Sequence, residues 1–129
     1  MKSVDKEKLL REATLAKINA YAPYSKFRVG AAVLIKNSEV ISGANVENAS
    51  YPLTCCAERI AIFKAVSEGE KEFDTIVIRS NDDSFPYPCG ACRQVMAQFS
   101  KDLVVYVVNG KNEYEKYTIK ELLPHTFEF

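Results

Sequence analysis

Residues 75–108, TIVIRSNDDSFPYPCGACRQVMAQFSKDLVVYVV, decide the fold class of this chain. The first and last portions, residues 75–79 and 103–108, are short apolar runs of the kind that form buried strands. Between them a turn-forming segment, residues 81–88, leads into a helical pattern over residues 89–99. A strand, a helix and a second strand in this order form a right-handed crossover, which leaves the two strands parallel.

Further elements flank this unit on both sides. The hydrophobic pattern predicts helices over residues 5–20, 56–68 and 119–123, and strands over residues 27–36, 40–46 and 113–117. Asn109-Gly110 predicts a tight hairpin between the last two strands, because both central residues of its two-residue turn need positive φ. Helices that alternate with strands in the middle of the chain indicate an α/β sandwich around a partly parallel sheet.

Length and composition indicate one globular domain that spans residues 1–129. Hydrophobic residues make up 47% of the chain and charged residues 26%, and the formal net charge is zero. A domain that holds a polynucleotide usually carries a basic stripe, so we expect no nucleic-acid partner. No run approaches the roughly 18 apolar residues of a membrane span, and residues 1–5 carry charge without an apolar run behind them. We therefore expect no membrane association and a cytoplasmic protein with reduced cysteines.

Three cysteines lie where two predicted helices begin. Cys56 and Cys89 fall in the first turns of these helices, where unpaired amides and the helix dipole favour a thiolate. Cys92 follows Cys89 by three residues and shares its helix face. We expect these three thiolates to hold one zinc ion and to leave a fourth position open for water, as catalytic zinc sites do. The alternatives are a closed structural site, with Cys55 as fourth ligand, and cysteines that only pack in the core.

Cys55 points about a hundred degrees away from Cys56, so we do not expect it to bind the same ion.

Two charged residues follow Cys56 on its predicted helix. Glu58 is suited to move protons for a zinc-activated water, although a glutamate at a helix start also stabilises the helix dipole. Arg59 lies on the face of Cys56 and can offset the negative charge of three thiolates. The alternative role for Arg59 is a surface ion pair with Glu58 or Glu70.

Five motifs in order resemble the small homotetrameric cytidine deaminases. They are APYSKF at residues 22–27, VGAA at 29–32, NVENA at 45–49, CAER at 56–59 and PCGACRQ at 88–94. The cysteine and glutamate spacing also resembles the signature of zinc base deaminases in general. The resemblance implies an α/β three-layer sandwich with a mixed five-stranded sheet, one zinc ion per subunit, and cytidine and deoxycytidine as substrates that Glu58 helps to deaminate in pyrimidine salvage.

The resemblance also implies a substrate pocket. It assigns the ribose hydroxyls, chiefly the 3′-OH, to Asn45 and Glu47, and the pocket wall to Phe27 and Ala57. Read alone, an Asn and a Glu two apart project to the same side of a strand end, which suits a polyol. The alternatives are an Asx-type turn with a solvated acid and, for Phe27, a core aromatic.

Neighbouring subunits complete each pocket in the homotetramer that the resemblance implies. Tyr51 and Phe127 are the candidates for such cross-subunit contacts. His125, the single histidine, is not needed as a zinc ligand, because three thiolates suffice.

Three rival functions share parts of this pattern. The first is deamination of a nucleoside-like antibiotic such as blasticidin S, which Arg59 and the segment Phe27-Arg28-Val29-Gly30 disfavour. The second is polynucleotide editing, which the Asn109-Gly110 hairpin disfavours because editing relatives are expected to run their last two strands parallel. The third is a zinc-stapled interaction domain, which needs a fourth protein ligand and releases no ammonia.

Overall fold

The computed structural model describes residues 3–128, so Met1 and Lys2, two of the residues 1–5 considered above, lie outside the described residues. Within residues 3–128, four helices and five strands follow one another. They are α1 (Ser3–Lys17), β1 (Val29–Ile35), β2 (Val40–Ala44), α2 (Ala57–Ser67), β3 (Phe73–Ser80), α3 (Gly90–Phe99), β4 (Val104–Val108), β5 (Tyr114–Thr118) and α4 (Ile119–Leu122). Short 3-10 helices at Lys36–Ser38 and Tyr51–Leu53 precede β2 and α2.

The five strands form one mixed sheet in the order β2-β1-β3-β4-β5. Strands β3 and β4 are parallel, and α3 connects them, as the strand–helix–strand pattern predicts. The other three neighbouring pairs are antiparallel. The mixed sheet, with helices on both of its faces, confirms the predicted fold class, an α/β sandwich with a mixed five-stranded sheet.

Helices cover both faces of the sheet. All seven residues of β1 are buried, which is why this strand reads as a continuous apolar run without polar alternation. Ala31 and Val33 pack with α2, α3 and α4 in the larger core cluster, whereas Ala32 and Leu34 pack with α1 in the smaller one. The alternation follows from the period of two along a strand and gives the three layers.

The predicted two-residue turn at Asn109-Gly110 is wrong. Asn109 pairs with Glu113 instead, through its N–H and the Glu113 carbonyl at 3.0 Å, which leaves a three-residue loop. Positive φ occurs at Asn112, at 65°, the pattern of a loop whose third residue is left-handed. The two strands are nevertheless antiparallel, as the hairpin prediction requires.

Helix α2 lies close to the sheet at Gly43 of β2. A Cβ atom at Gly43 would lie 2.7 Å from the backbone nitrogen of Ala61 and 2.7 Å from Cγ2 of Ile60. Only a residue without a side chain allows this approach. The contact fixes the height of α2 above the sheet, and thereby the position of the residues at its N-terminal end.

None of the helices described here has the length and apolar character that crossing a membrane requires.

Candidate active site

The N-terminal ends of α2 and α3 meet at three cysteine thiols. The sulfur atoms of Cys56, Cys89 and Cys92 all lie within 4.8 Å of one another. Cys56 and Cys89 are the N-cap residues of the two helices, with extended backbone, rather than members of the first turns as predicted. The cap position still places each thiol beside the free amides of a helix start, where negative charge is favoured.

This sulfur cluster fits a zinc ion. Tetrahedral zinc with Zn–S distances of about 2.3 Å separates its sulfur ligands by about 3.8 Å, and the sulfurs of Cys89 and Cys92 lie 3.5 Å apart. A hydrogen bond from the Cys92 thiol, together with Arg59, lowers the pKa of Cys56 well below its usual value and so favours the thiolate form that binds metal. Hydrogen bonding to Cys56 and burial raise the pKa of Cys92. This thiol therefore loses its proton when a metal ion binds.

Cys55 does not belong to the sulfur cluster. Within residues 3–128 the group that could hold a metal consists of Cys56, Cys89 and Cys92. The backbone of Cys55 bonds to Val46 in both directions, and burial raises the pKa of its thiol. Three ligands leave one position of a tetrahedral ion open, which is the arrangement of catalytic rather than structural zinc sites.

Glu58 lies in the first turn of α2, two residues after Cys56. It is 4% exposed, and burial raises the pKa of its carboxyl to about 7. A carboxyl with this pKa can both accept and donate a proton near neutral pH, which is the property of a general acid–base residue.

Arg59 contacts the sulfur cluster rather than an acidic partner. Its Nη2 donates to the sulfur of Cys56 at 3.6 Å and to the carbonyl of Thr54 at 3.3 Å. The alternative of a surface ion pair with Glu58 or Glu70 is not formed in the described part of the chain, where the ion pairs involve other residues. The guanidinium therefore lies where it can balance thiolate charge.

A cleft of about 260 Å³ opens beside the sulfur cluster. It brings the predicted pocket residues Phe27, Asn45, Glu47 and Ala57 together with Glu58. Sequence reasoning did not assign a role to several other residues of its wall. They are Ser25, Val29, Thr54, Cys55, Pro86 and Tyr87. Ser25 lies in the motif APYSKF, so the sequence contained a signal for its place in the cleft. Tyr87 lies in the turn before α3, outside the five motifs.

Asn45 and Glu47 are both held by hydrogen bonds at the end of β2. The buried amide of Asn45 accepts from Val29 N–H at 3.0 Å and donates to the Phe27 carbonyl at 2.8 Å. Glu47 accepts from the N–H groups of Tyr24 and Ser25 at 2.9 Å and 3.2 Å. Neither side chain matches the alternative of a local Asx turn beside a freely solvated acid.

The sequence model of the family "Cytidine and deoxycytidylate deaminase zinc-binding region" matches residues 3–108. The chain belongs to the cytidine deaminase family. A cytidine deaminase from Halalkalibacterium halodurans is 49% identical over 125 residues, which cover 96% of this chain and 95% of that protein. The crystal structure of a cytidine deaminase from Burkholderia pseudomallei matches with a TM-score of 0.89 and 41% identity, over 94% of this chain and 98% of that chain.

Membership of the cytidine deaminase family confirms three predictions: the family itself, the enzyme class of hydrolytic deaminase, and zinc as the cofactor. The rival antibiotic deaminases are also relatives. A blasticidin-S deaminase from Bacillus cereus is 39% identical over 124 residues, which cover 89% of this chain and 87% of that protein.

The candidates for cross-subunit contacts lie outside the cleft. Tyr51 is 76% exposed in the 3-10 helix before α2. Phe127 is 70% exposed, and its backbone exchanges two hydrogen bonds with the side chain of Gln94 beside a second cavity of about 440 Å³. His125 is exposed and lies outside the sulfur cluster. Within one chain, then, neither aromatic side chain borders the cleft that holds Glu58.

Proposed function

We propose that this chain deaminates cytidine and deoxycytidine by hydrolysis, giving uridine or deoxyuridine and ammonia in pyrimidine salvage. The single observation that carries the proposal is the cleft in which the buried carboxyl of Glu58 shares a wall with Cys56 and Cys89. A proton-transfer group with a pKa of about 7 beside three potential metal ligands is what hydrolysis of an aromatic amine requires.

Cys56, Cys89 and Cys92 would hold one zinc ion per chain. When bound, zinc supplies Lewis-acid activation of a water molecule as the nucleophile. Arg59 offsets the surplus negative charge of the three thiolates through its contact with Cys56. The guanidinium also fixes the turn before α2 through the carbonyl of Thr54.

Glu58 moves the protons of the reaction. Its carboxylate takes a proton from the attacking water and delivers it to N3 of cytosine, which makes C4 more electrophilic. After the C4–O bond has formed, Glu58 takes the proton of the new C4 hydroxyl and passes it to the amino group; the C4 carbonyl forms as the C4–N bond breaks with release of ammonia. Because burial raises the pKa of this carboxyl to about 7, it can exist in either protonation state near neutral pH, and both proton transfers can occur there.

The other residues of the cleft would orient the nucleoside. Asn45 and Glu47 offer acceptors to the sugar hydroxyls, chiefly the 3′-OH, from one end of β2. Phe27 and Ala57 supply an apolar wall beside the pyrimidine and the sugar. We also propose that residues 1–129 form one catalytic domain, since a domain of this size can bury a core large enough to support the site.

We further propose a homotetramer in the cytoplasm, with no nucleic-acid or membrane partner. The exposed aromatic side chain of Tyr51 and the exposed ring of Phe127 support association, because neither reaches the cleft of its own chain. The four cysteines, none of them in a disulfide, support a reducing compartment. Light scattering coupled to a sizing column measures the assembly directly.

A parallel substrate assay tests the proposal. The zinc-loaded protein is given cytidine, deoxycytidine, blasticidin S or single-stranded DNA, and ammonia release is measured alongside the absorbance change. We expect turnover of both nucleosides and none of the other two. Turnover of blasticidin S alone would replace the proposal with the antibiotic reaction, and no ammonia release from any substrate would contradict deamination.

A further inference from the structure

One three-residue segment, Ser25–Phe27, holds both residues to which the sugar is assigned. The Phe27 carbonyl accepts from the amide of Asn45 at 2.8 Å. The hydroxyl of Ser25 donates to Oε2 of Glu47, and the N–H of Ser25 donates to Oε1 of the same carboxylate at 3.2 Å. The segment therefore contacts both sugar-binding candidates from a different part of the chain.

The direction of the Ser25 hydroxyl follows from its second hydrogen bond. The Oγ atom of Ser25 accepts from the N–H of Phe27 at 3.0 Å. Lys26 between them has φ of 64°, the left-handed conformation that few residues other than glycine adopt, and this turns the Phe27 N–H back towards Ser25. A hydroxyl has one hydrogen to give, so with Phe27 as donor to its oxygen that hydrogen is committed to Glu47.

The hydrogen bonds from Tyr24 and Ser25 occupy most of the acceptor sites of the Glu47 carboxylate. An ionised carboxylate has about four lone-pair sites. Two at Oε1 take the N–H groups of Tyr24 and Ser25, and one at Oε2 takes the Ser25 hydroxyl. One site remains, on Oε2, and it is the site that a sugar hydroxyl in the cleft can use. The same hydrogen bonds, led by the Ser25 hydroxyl, hold the pKa of Glu47 below its usual range, so the group remains an acceptor.

We propose that Ser25 is a positioning residue that fixes Oε2 of Glu47 for a single sugar hydroxyl, and that it thereby sets the selectivity of the cleft for nucleosides that carry this hydroxyl. The inference rests on the proposed function, which assigns the sugar 3′-hydroxyl to Glu47. Ser25 acts through Glu47 and takes no part in proton transfer, so its loss weakens binding without slowing the chemical step.

The test compares substrates with and without the 3′-hydroxyl. In Ser25→Ala we expect the KM for cytidine to rise about tenfold, the effect of losing one hydrogen bond to a charged group, with kcat within about twofold. The KM for 3′-deoxycytidine should stay within about twofold of the wild-type value, and Ser25→Thr, which keeps the hydroxyl, should restore the KM for cytidine. Ser67→Ala removes an exposed hydroxyl that donates to the Lys64 carbonyl, far from Glu47 in the chain, and it serves as the matched control.

Binding separates failure of this inference from failure of the proposed function. The dissociation constants of uridine and 3′-deoxyuridine, measured by calorimetry, report on Glu47 even without turnover. Loss of the difference between these two ligands in Ser25→Ala supports the positioning role. An equal rise for both ligands, or no change for either, overturns it. Wild-type protein that binds with the expected difference but releases no ammonia contradicts only the proposed reaction.

Discussion

Arg59 donates from Nη2 to the sulfur of Cys56 across 3.6 Å, one helical turn along α2. The contact places a permanent positive charge beside a thiolate that is two residues from Glu58. Because three thiolates and one divalent cation carry a net charge of minus one, the guanidinium is the main neutralising side chain that the structure provides at this point.

Removal of this guanidinium should weaken the metal site without unfolding the protein. We expect Arg59→Ala to lower zinc affinity or kcat by about 10–100-fold, as other changes of residues that hydrogen-bond to metal ligands do. Competition with a chromogenic chelator gives the affinity, and ammonia release gives kcat. Arg11→Ala, at an exposed position on α1, is the control. Unchanged affinity and unchanged kcat in Arg59→Ala would show that the contact with Cys56 has no electrostatic role.

The four cysteines provide an internal comparison of ligands and non-ligands. Cys89→Ala and Cys92→Ala should each lose bound zinc, because two sulfurs cannot hold the ion as three do. Cys55→Ala should keep about one zinc ion per chain, since its thiol lies outside the cluster. Elemental analysis of the purified variants measures the zinc content. Stoichiometric zinc in Cys89→Ala, or its loss in Cys55→Ala, would require a different set of ligands.

A methyl group at Gly43 should displace α2 from the sheet. The new Cβ in Gly43→Ala would meet the backbone of Ala61 at 2.7 Å, and backbone cannot rotate away as a flexible side chain can. We expect a loss of about 1–3 kcal/mol in the free energy of unfolding, the usual cost of overpacking, and reduced activity because α2 carries Glu58. Denaturant melts of the variant measure the stability. Ser42→Ala, one position earlier on β2, should change neither quantity, and equal stability of Gly43→Ala would mean that α2 adjusts freely.

The layers and the sulfur cluster could be predicted from the sequence because their signals are local. The parallel strands β3 and β4 contain the apolar runs of residues 76–78 and 104–108, and such runs indicate strands that are buried on both faces. The sequence predicts Cys56 and Cys89 as ligands because each lies near a predicted helix start, and the structure places both at the N-cap. Helix α2 connects β2 to β3, and α3 connects β3 to β4. Both helices pack on the same face of the sheet, which allows their N-terminal ends to meet.

The turn and part of the cleft could not be predicted, because side-chain hydrogen bonds determine them, some of them between residues far apart in the chain. Asn109 is 1% exposed, and its side chain accepts from the N–H groups of Lys111 and Glu113 and donates to the Asp83 carbonyl. This network replaces the local preference of an Asn-Gly pair for a two-residue turn, and Asn112 takes the positive φ. The hydrogen bond between Ser25 and Glu47 joins residues that are 22 positions apart, and hydrophobic periodicity does not predict contacts at that separation.

Turnover by Glu58→Gln tests the central claim most directly. Glutamine keeps the size of the side chain but cannot carry the proton, so we expect a zinc-loaded, folded variant whose release of ammonia from cytidine falls by about 10²–10⁴-fold. Zinc content and the circular dichroism spectrum, recorded on the same sample, show that site and fold are intact. Wild-type rates in this variant, with zinc and fold retained, would contradict the assignment of proton transfer to Glu58.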